Sequence, residues 1–434
     1  MALLFVGEPP SLDDLCARVH DRWGAIPLMR RILLRPGQPS WLRRHRWQQT
    51  ENIDLRAHVT EACAEVPYDG TGADAFTGLL ARLVAQPVPD GRPPWRLLLV
   101  RPGGDQGPQG RFALILAAHH ALMDGRSLER LLSGLLDGGT GHDGGTGHDG
   151  SVHGGVRAAR TPRVAVPAHR MPDKQTEGVG RPLDALRSGR ALPLPSGPPR
   201  PERDFVWTGL DTDTVRGARR ALPGLGATLN ELVLAASAGA LRAVHGTPDR
   251  WPGAARPLYG MFSVDLRTPE QGEELGNLLS VVRLPLPVAV EGPRERLRAC
   301  RDLLTGPGPA HDANASMRLV DAASRMGPWA LRLLIKRASS PSWAPVTCTV
   351  IRWPRGPWSL DGALLERVLP LAPMQTPGAV RVALTDYARV FTLCVTGDPP
   401  RGHARELADA FGRELAALAR SVPEFSARHS DRPS

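Results

Sequence analysis

Aromatic residues make up only 5% of the 434-residue chain, and lysine is nearly missing: of 54 basic residues, all but Lys174 and Lys336 are arginine. The five cysteines, Cys16, Cys63, Cys300, Cys348 and Cys394, are few, odd in number and far apart. No Cys-x-x-Cys pair occurs, which argues against a disulfide framework and a thiolate metal site and suits a reduced, cytoplasmic setting. Long apolar runs are absent as well. Phe112 to Ala118 falls far short of the ~20 residues a membrane span needs, so any membrane contact is peripheral. Met1 to Pro10 lacks a basic segment and meets Glu8 early, unlike a secretory signal. Zinc-finger spacing, an aromatic-studded basic strand and a reading helix are all lacking, so nucleic acid is not an expected partner. Neither a Gly-x-Ser-x-Gly elbow nor a paired catalytic cysteine is present, which points away from a covalent acyl-enzyme.

The chain does contain 46 glycines, 43 prolines and a net charge of +10. The abundance of Arg, Gly and Pro reads first as a coding bias toward those residues. A surface that attracts phosphates or an anionic membrane face is the sharper alternative. The length suits two domains of about 150–200 residues each, and a hydrophobic fraction of 41% is enough for packed cores.

Periodicity organises the chain into two patterned halves. Ser11 to Trp23 is expected to be a helix capped by Ser11, with Leu12, Leu15 and Val19 at helical spacing. Thr77 to Ala85 is a second helix. Trp95 to Arg101 and Arg111 to Ala118 are strands, the latter a continuous apolar run suited to burial on both faces. Ser127 to Leu136 follows as a helix with Ser127 as N-cap. Residues 137–200 carry a tandem Gly-Gly-Thr-Gly-His-Asp repeat and then an Arg/Pro/Gly-rich stretch, and read as a linker. His142 and His148 of the repeat belong to a solvated loop rather than a metal site. Beyond it, Phe205 to Gly209 is a strand and Asp211 to Ala221 a helix. Thr228 to His245 is the clearest helix, opened by the capping box Thr228-Leu229-Asn230-Glu231 and stopped by Gly246. Tyr259 to Asp265, Leu279 to Leu286, Val346 to Arg352, Val380 to Thr385 and Val390 to Thr396 are strands, and His403 to Ser421 is an amphipathic helix. The expected organisation is an α/β (α+β) chain: residues 1–136, a linker over 137–200, a second half over 201–425 and a frayed tail over 426–434.

One segment carries chemistry: His119-His120-Ala121-Leu122-Met123-Asp124-Gly125. A buried strand delivers two histidines at its end, where ligands and catalysts commonly sit. Neighbouring residues leave a strand in opposite directions, so one imidazole is expected to face a reaction channel and the other the scaffold. Histidine titrates near neutrality and is suited to take a proton from a hydroxyl and return it to a leaving group. Asp124 can fix the loop through hydrogen bonds or an arginine pair, and Gly125 permits a tight turn. The bland alternative is a hydrogen-bonded histidine pair above an Asp-Gly turn.

This segment resembles the HHxxxDG motif of the coenzyme-A-dependent acyltransferase superfamily, which includes chloramphenicol acetyltransferase and peptide-synthetase condensation domains. Arg92-Pro93-Pro94-Trp95, Thr228 to Arg242, Val264 to Arg267, Glu274-Leu275-Gly276-Asn277 and Leu284 to Pro287 resemble blocks of the bacterial wax ester synthase/diacylglycerol acyltransferase family. The resemblance runs from about Ser11 to Leu418, interrupted by the linker. It implies two chloramphenicol-acetyltransferase-like halves, each a mixed sheet with flanking helices, with a channel between them. It implies His120 as general base, with His119, Asp124 and Gly125 completing the catalytic segment and Asp124 structural. Asn230, Trp95, Arg267 and Asn277 are the implied substrate-side residues. Asn230 would orient the acceptor or polarise the carbonyl, and Arg267 would pair with Asp124.

Departures from the family pattern lie away from the histidines. Met1 to Pro9 starts inside the first strand, Glu231 replaces an Asp, Pro94 a Leu, and Thr349 to Pro357 and Thr385 to Ala388 replace two further motifs. The leading reading is transfer of a fatty acyl group from acyl-CoA, as co-substrate and without a bound cofactor or metal, to diacylglycerol or a long-chain alcohol. The expected partners are that thioester and a hydroxyl acceptor lipid, with an anionic membrane or lipid droplet as a peripheral contact. Two other readings are a divergent condensation-type enzyme using a carrier-bound or other thioester, and a non-catalytic lipid-binding relative.

Overall fold

Ala2–Val6 is apolar at every position, and residues 2 to 5 are fully buried, as an interior strand requires. In the computed structural model this strand (β1) lies between β6 (Arg111–Ala118) and β13 (Ala363–Leu369), antiparallel to both. The structure describes residues 1–35, 37, 43–64, 74–86, 91–102, 110–138, 187–194, 203–268, 270–305, 308–371, 378–397 and 402–421. Most of the expected linker and all of the expected tail lie outside these. The first sheet has seven strands: β4 (Val59–Ala64), β5 (Trp95–Pro102), β6, β1, β13, β12 (Trp358–Leu360) and β7 (Asp137–Gly138). Helices α1 (Leu12–Trp23), α2 (Asp74–Ala85) and α3 (Gly125–Leu135) accompany it, and a small hairpin, β2 (Arg31–Leu34) with β3 (Arg46–Gln49), stands apart.

The second sheet has six strands in the order β10 (Leu279–Pro285), β9 (Tyr259–Asp265), β11 (Val346–Arg352), β14 (Val380–Tyr387), β15 (Val390–Gly397) and β8 (Asp204–Leu210). Its β9, β11 and β14 run parallel, while the outer pairs are antiparallel. On one face pack α4 (Thr212–Arg220), α5 (Leu229–His245), α6 (Pro293–Thr305) and α9 (His403–Arg420). The capping box of α5 forms in full: Thr228 accepts from the Glu231 amide, and Glu231 accepts from the Thr228 amide. The Ala- and Gly-rich side of α5 lets α9 approach closely; a Cβ on Gly239 would lie 2.3 Å from Glu414. Two further helices, α7 (Gly308–Met326) and α8 (Pro328–Ala338), form a hairpin broken at Gly327.

The fold is thus mixed α/β with two sheet-containing halves, but the halves are not contiguous in sequence. β12 and β13, late in the chain, complete the first sheet. Their hairpin turns through Asp361 and Gly362, both at positive φ, in a two-residue loop. Gly7 (φ +133°) lets the backbone pass against Ala363, whose Cα would be 2.9 Å from any added Cβ. At the histidine loop the boundary differs from the sequence expectation: α3 starts at Gly125, and Asp124 rather than Ser127 is its N-cap, accepting from the Ser127 amide at 2.9 Å. A carboxylate is at least as good an N-cap as a hydroxyl, and it also meets the positive end of the helix.

Candidate active site

β6 ends at Ala118, and the chain turns at once into the histidine loop. The turn is held from both sides: the His119 amide donates to the Pro94 carbonyl (2.9 Å), and the Leu122 amide to the His119 carbonyl (2.8 Å). Leu122 and Met123 are buried in the first core and anchor the loop from below. Both imidazoles are exposed. The expected division, one ring outward and one into the scaffold, is replaced by another: His119 folds back so that Nδ1 accepts from the Ala121 amide (3.1 Å), while His120 makes no side-chain hydrogen bond among the described residues. Partial burial and repulsion from His120 and His45 push the His119 pKa down, which favours its neutral ring.

Asp124 is buried and fully committed. Oδ1 accepts from the Ser127 amide and Oδ2 from the Leu278 amide (2.9 Å each), and Arg267 Nη1 lies 2.9 Å from Oδ2. Burial pushes the Asp124 pKa up, but the Arg267 hydrogen bond, the two amides and the Arg267 charge together hold it below the ordinary carboxylate value. Arg267 itself donates to the carbonyls of Glu274 (2.8 Å) and Gly276 (3.3 Å), to Asp265 (3.0 Å) and to the Ser127 hydroxyl (2.9 Å). Ser127 Oγ in turn donates to the Gly276 carbonyl and accepts from the Gly276 amide. Gly276 adopts φ +150°, open to glycine and strained for other residues. Flanking ion pairs, Arg126–Asp265 (2.8 Å) and Arg130–Glu273 (2.8 Å), tie α3 to the same segment. Glu129, among these charges on α3, has its pKa raised to about 7 by burial, against the pull of Arg126 and Arg130.

The sequence-derived residues therefore separate by place. His119, His120, Asp124 and Gly125 share the loop. Arg267 and Asn277 belong to the segment of the second half that clasps it, with Asn277 exposed between Gly276 and Leu278. The Arg267 guanidinium is spent on protein groups rather than presented to a substrate. Trp95 is not at the site surface: it is 1% exposed, donates to the Met29 carbonyl (2.8 Å) and stacks on His58. Its segment contributes instead through Pro94, which receives the His119 amide. Gly125 is not needed for a tight turn. It has no positive φ, and an added Cβ would meet nothing within 4 Å, so space is left beside the start of α3. Asn230 lies in the first turn of α5, half-buried, with no side-chain hydrogen bond among the described residues. The other end of α5 touches His403 through His245 (3.1 Å), near where β15 ends. Over the ~25 Å of a 17-residue helix, Asn230 is carried toward the opposite end of the sheet, where Ile351, Trp353 and Tyr387 join the first core.

His45 was not singled out from sequence; only its spatial neighbour His119 shows its relevance. Among the described residues no group of three or more His, Cys, Asp or Glu converges. Burial pushes the thiols of Cys300 and Cys348 up to about 12, which disfavours a thiolate nucleophile.

Residues 6–190 match the model of the wax ester synthase/diacylglycerol acyltransferase catalytic domain, and residues 275–419 that of the C-terminal domain of the same group. A Mycobacterium tuberculosis protein named as a candidate diacylglycerol O-acyltransferase is 27% identical over 406 residues, covering 83% of this chain and 76% of its own. The structure of a wax ester synthase/diacylglycerol acyltransferase from Marinobacter aquaeolei superimposes with a TM-score of 0.57 at 19% identity, over 96% of this chain and 92% of that one. A trichothecene 15-O-acetyltransferase from Fusarium sporotrichioides gives 0.64 at 14% identity, over 96% and 90%. At those identities the two structures are alike in fold.

Proposed function

Because the chain belongs to the wax ester synthase/diacylglycerol acyltransferase family, we propose that it transfers a fatty acyl group from acyl-CoA to the hydroxyl of diacylglycerol or a long-chain alcohol, with His120 as general base. One observation carries this reading. In the histidine loop Asp124 is locked to Arg267 and His119 Nδ1 is engaged by a loop amide, while the exposed His120 makes no side-chain hydrogen bond among the described residues. Both ring nitrogens of His120 are thus open to a reacting hydroxyl, whereas His119 keeps only Nε2.

In this mechanism His120 accepts the hydroxyl proton as the acceptor oxygen attacks the thioester carbon. The carbon–sulfur bond breaks, the ester is released, and the proton passes to the departing sulfur to give free CoA thiol. No acyl-enzyme forms. General-base help of this kind contributes about 10²–10⁴-fold. Asn230, whose side-chain amide makes no hydrogen bond among the described residues, is assigned to the developing oxyanion, where such a donor supplies a few kcal/mol. The clasp formed by Asp124, Ser127 and Arg267 keeps the loop in register with the second half.

An acceptor panel tests the substrate assignment. Purified protein with palmitoyl-CoA is expected to release thiol when diacylglycerol or hexadecanol is supplied. Turnover confined to carrier-bound thioesters or to small hydrophilic acceptors would replace this reading with a condensation-type activity.

A further inference from the structure

The α7–α8 hairpin exposes apolar side chains of a size that soluble surfaces normally cover. Met326 (62%), Trp329 (44%), Leu333 (63%) and Ile335 (55%) are open to solvent around the bend at Gly327, and Met317 and Val320 are exposed on α7. Trp329 and Leu333 are four residues apart and so stand on one stripe of α8. Arg332 and Lys336 form the adjacent stripe. Between Ala313 and Ala338 the chain carries Arg318, Arg325, Arg332, Lys336 and Arg337 against a single acid, Asp321. Asp321 is itself neutralised by Arg325 at 2.7 Å. Apolar side chains flanked by uncompensated cations are the composition of an interfacial helix, not of a contact with a neutral or acidic-poor protein surface. No helix among the described residues is long and apolar enough to cross a membrane, so contact of this kind is made by lying on the surface.

The hairpin also adjoins the candidate site. Arg44, beside the exposed strand residue Trp47, donates to the Ser324 carbonyl near the bend (2.5 Å). The next residue, His45, is close enough to His119 to disfavour its protonation. The bend of the hairpin and the histidine loop are thus linked through two consecutive residues of the first half.

We infer that the bend of the α7–α8 hairpin is a docking surface for an anionic lipid surface. Trp329, Leu333 and Met326 enter the acyl boundary, and Arg332 and Lys336 rest on the headgroups. Docking holds the histidine loop beside the phase that contains apolar acceptors. Acceptor delivery rests on the acyl-transfer reading above; docking itself does not.

The test is co-sedimentation of the full chain with vesicles of phosphatidylglycerol and phosphatidylcholine against phosphatidylcholine alone, at low and high salt. Binding to the anionic vesicles is expected to be at least tenfold tighter and to weaken with salt. The pair Trp329→Ser/Leu333→Ser is expected to reduce it at least tenfold, and Arg332→Glu/Lys336→Glu to abolish the preference for anionic lipid. Leu225→Ser, at a fully exposed leucine on another loop, is expected to bind like the parent. Circular dichroism checks that each variant is folded before its binding is compared. Undiminished binding by Trp329→Ser/Leu333→Ser, no binding by the parent chain, or equal loss in Leu225→Ser overturns the proposal. So does a dimer in light scattering that Trp329→Ser/Leu333→Ser dissolves while vesicle binding persists. Thiol release with a water-soluble alcohol, measured in parallel, reports failure of the acyl-transfer reading separately.

Discussion

Asp124 and Arg267 are 143 residues apart in the chain and form a buried ion pair, with Oδ2 and Nη1 2.9 Å apart and both side chains at most 3% exposed. Taking two charges out of water costs several kcal/mol per ion. The pair is sustained because Ser127, Leu278, Glu274, Asp265 and Gly276 satisfy the remaining lone pairs and N–H groups. Removing one partner leaves the other charge buried alone. Arg267→Met is therefore expected to lower stability by about 3–5 kcal/mol. Asp124→Asn, which keeps an N-cap acceptor, is expected to cost less, and the double variant less than the sum. The Asp124 pKa is depressed in the folded chain. Its contribution is thus present above the ordinary carboxylate value near ~4 and is lost as pH falls through the lower folded value. Urea unfolding of parent and Arg267→Met at pH 7 and pH 3 checks both statements: the gap between them is expected to narrow in acid.

Glu129 has the opposite sign. Its pKa rises from 4.5 to about 7 on folding, so the folded chain binds more protons between those values, and stability declines as pH climbs through that window. Glu129→Gln removes the titration. It is expected to be more stable than the parent at pH 8, on the order of 1–3 kcal/mol, and no different at pH 4. Denaturation midpoints at the two pH values decide it.

The hairpin joining β14 to β15 turns through Ala388 and Arg389, at φ +49° and +68°, with Tyr387 paired to Val390. Both residues occupy a left-handed conformation that costs a residue with a Cβ about 1–2 kcal/mol, and Asn-Gly suits this turn. Ala388→Asn/Arg389→Gly is expected to raise the melting temperature by a few degrees. The Thr212 hydroxyl, bonded to the Arg389 carbonyl, keeps its partner.

Gly125 offers a test of the space beside α3. With open surroundings and helical φ, Gly125→Ala is expected to leave stability unchanged or raise it by up to about 1 kcal/mol. Acyl transfer is expected to fall if that space receives substrate. Paired unfolding and thiol-release measurements separate the two.

What could be read from the sequence was local. The apolar run from Arg111 to Ala118 and the histidines that end it specify a buried strand and an exposed loop without reference to the rest of the chain. The Thr228–Glu231 capping box and Gly246 likewise delimit α5. Long-range placement was not readable. Leu360-Asp361-Gly362-Ala363 carries the Asp-Gly signal of a two-residue hairpin, yet nothing local assigns that hairpin to the first sheet. The helices α6 to α8 blur their own periodicity: Arg296 is buried on α6, while Met317, Trp329 and Leu333 are exposed on the next two. Trp95 shows the limit of motif reading. Its neighbour Pro94 holds the histidine loop, while the indole itself serves the core.

The central claim is that His120 takes the acceptor proton in an acyl transfer from CoA. It is tested most directly by following thiol release from palmitoyl-CoA with diacylglycerol or hexadecanol, for the parent chain and for a folded His120→Ala variant. The account predicts acceptor-dependent release by the parent and a loss of about 10²–10⁴-fold in the variant. Acceptor-dependent release that survives in His120→Ala, or none from the parent with any hydroxyl acceptor, would contradict it.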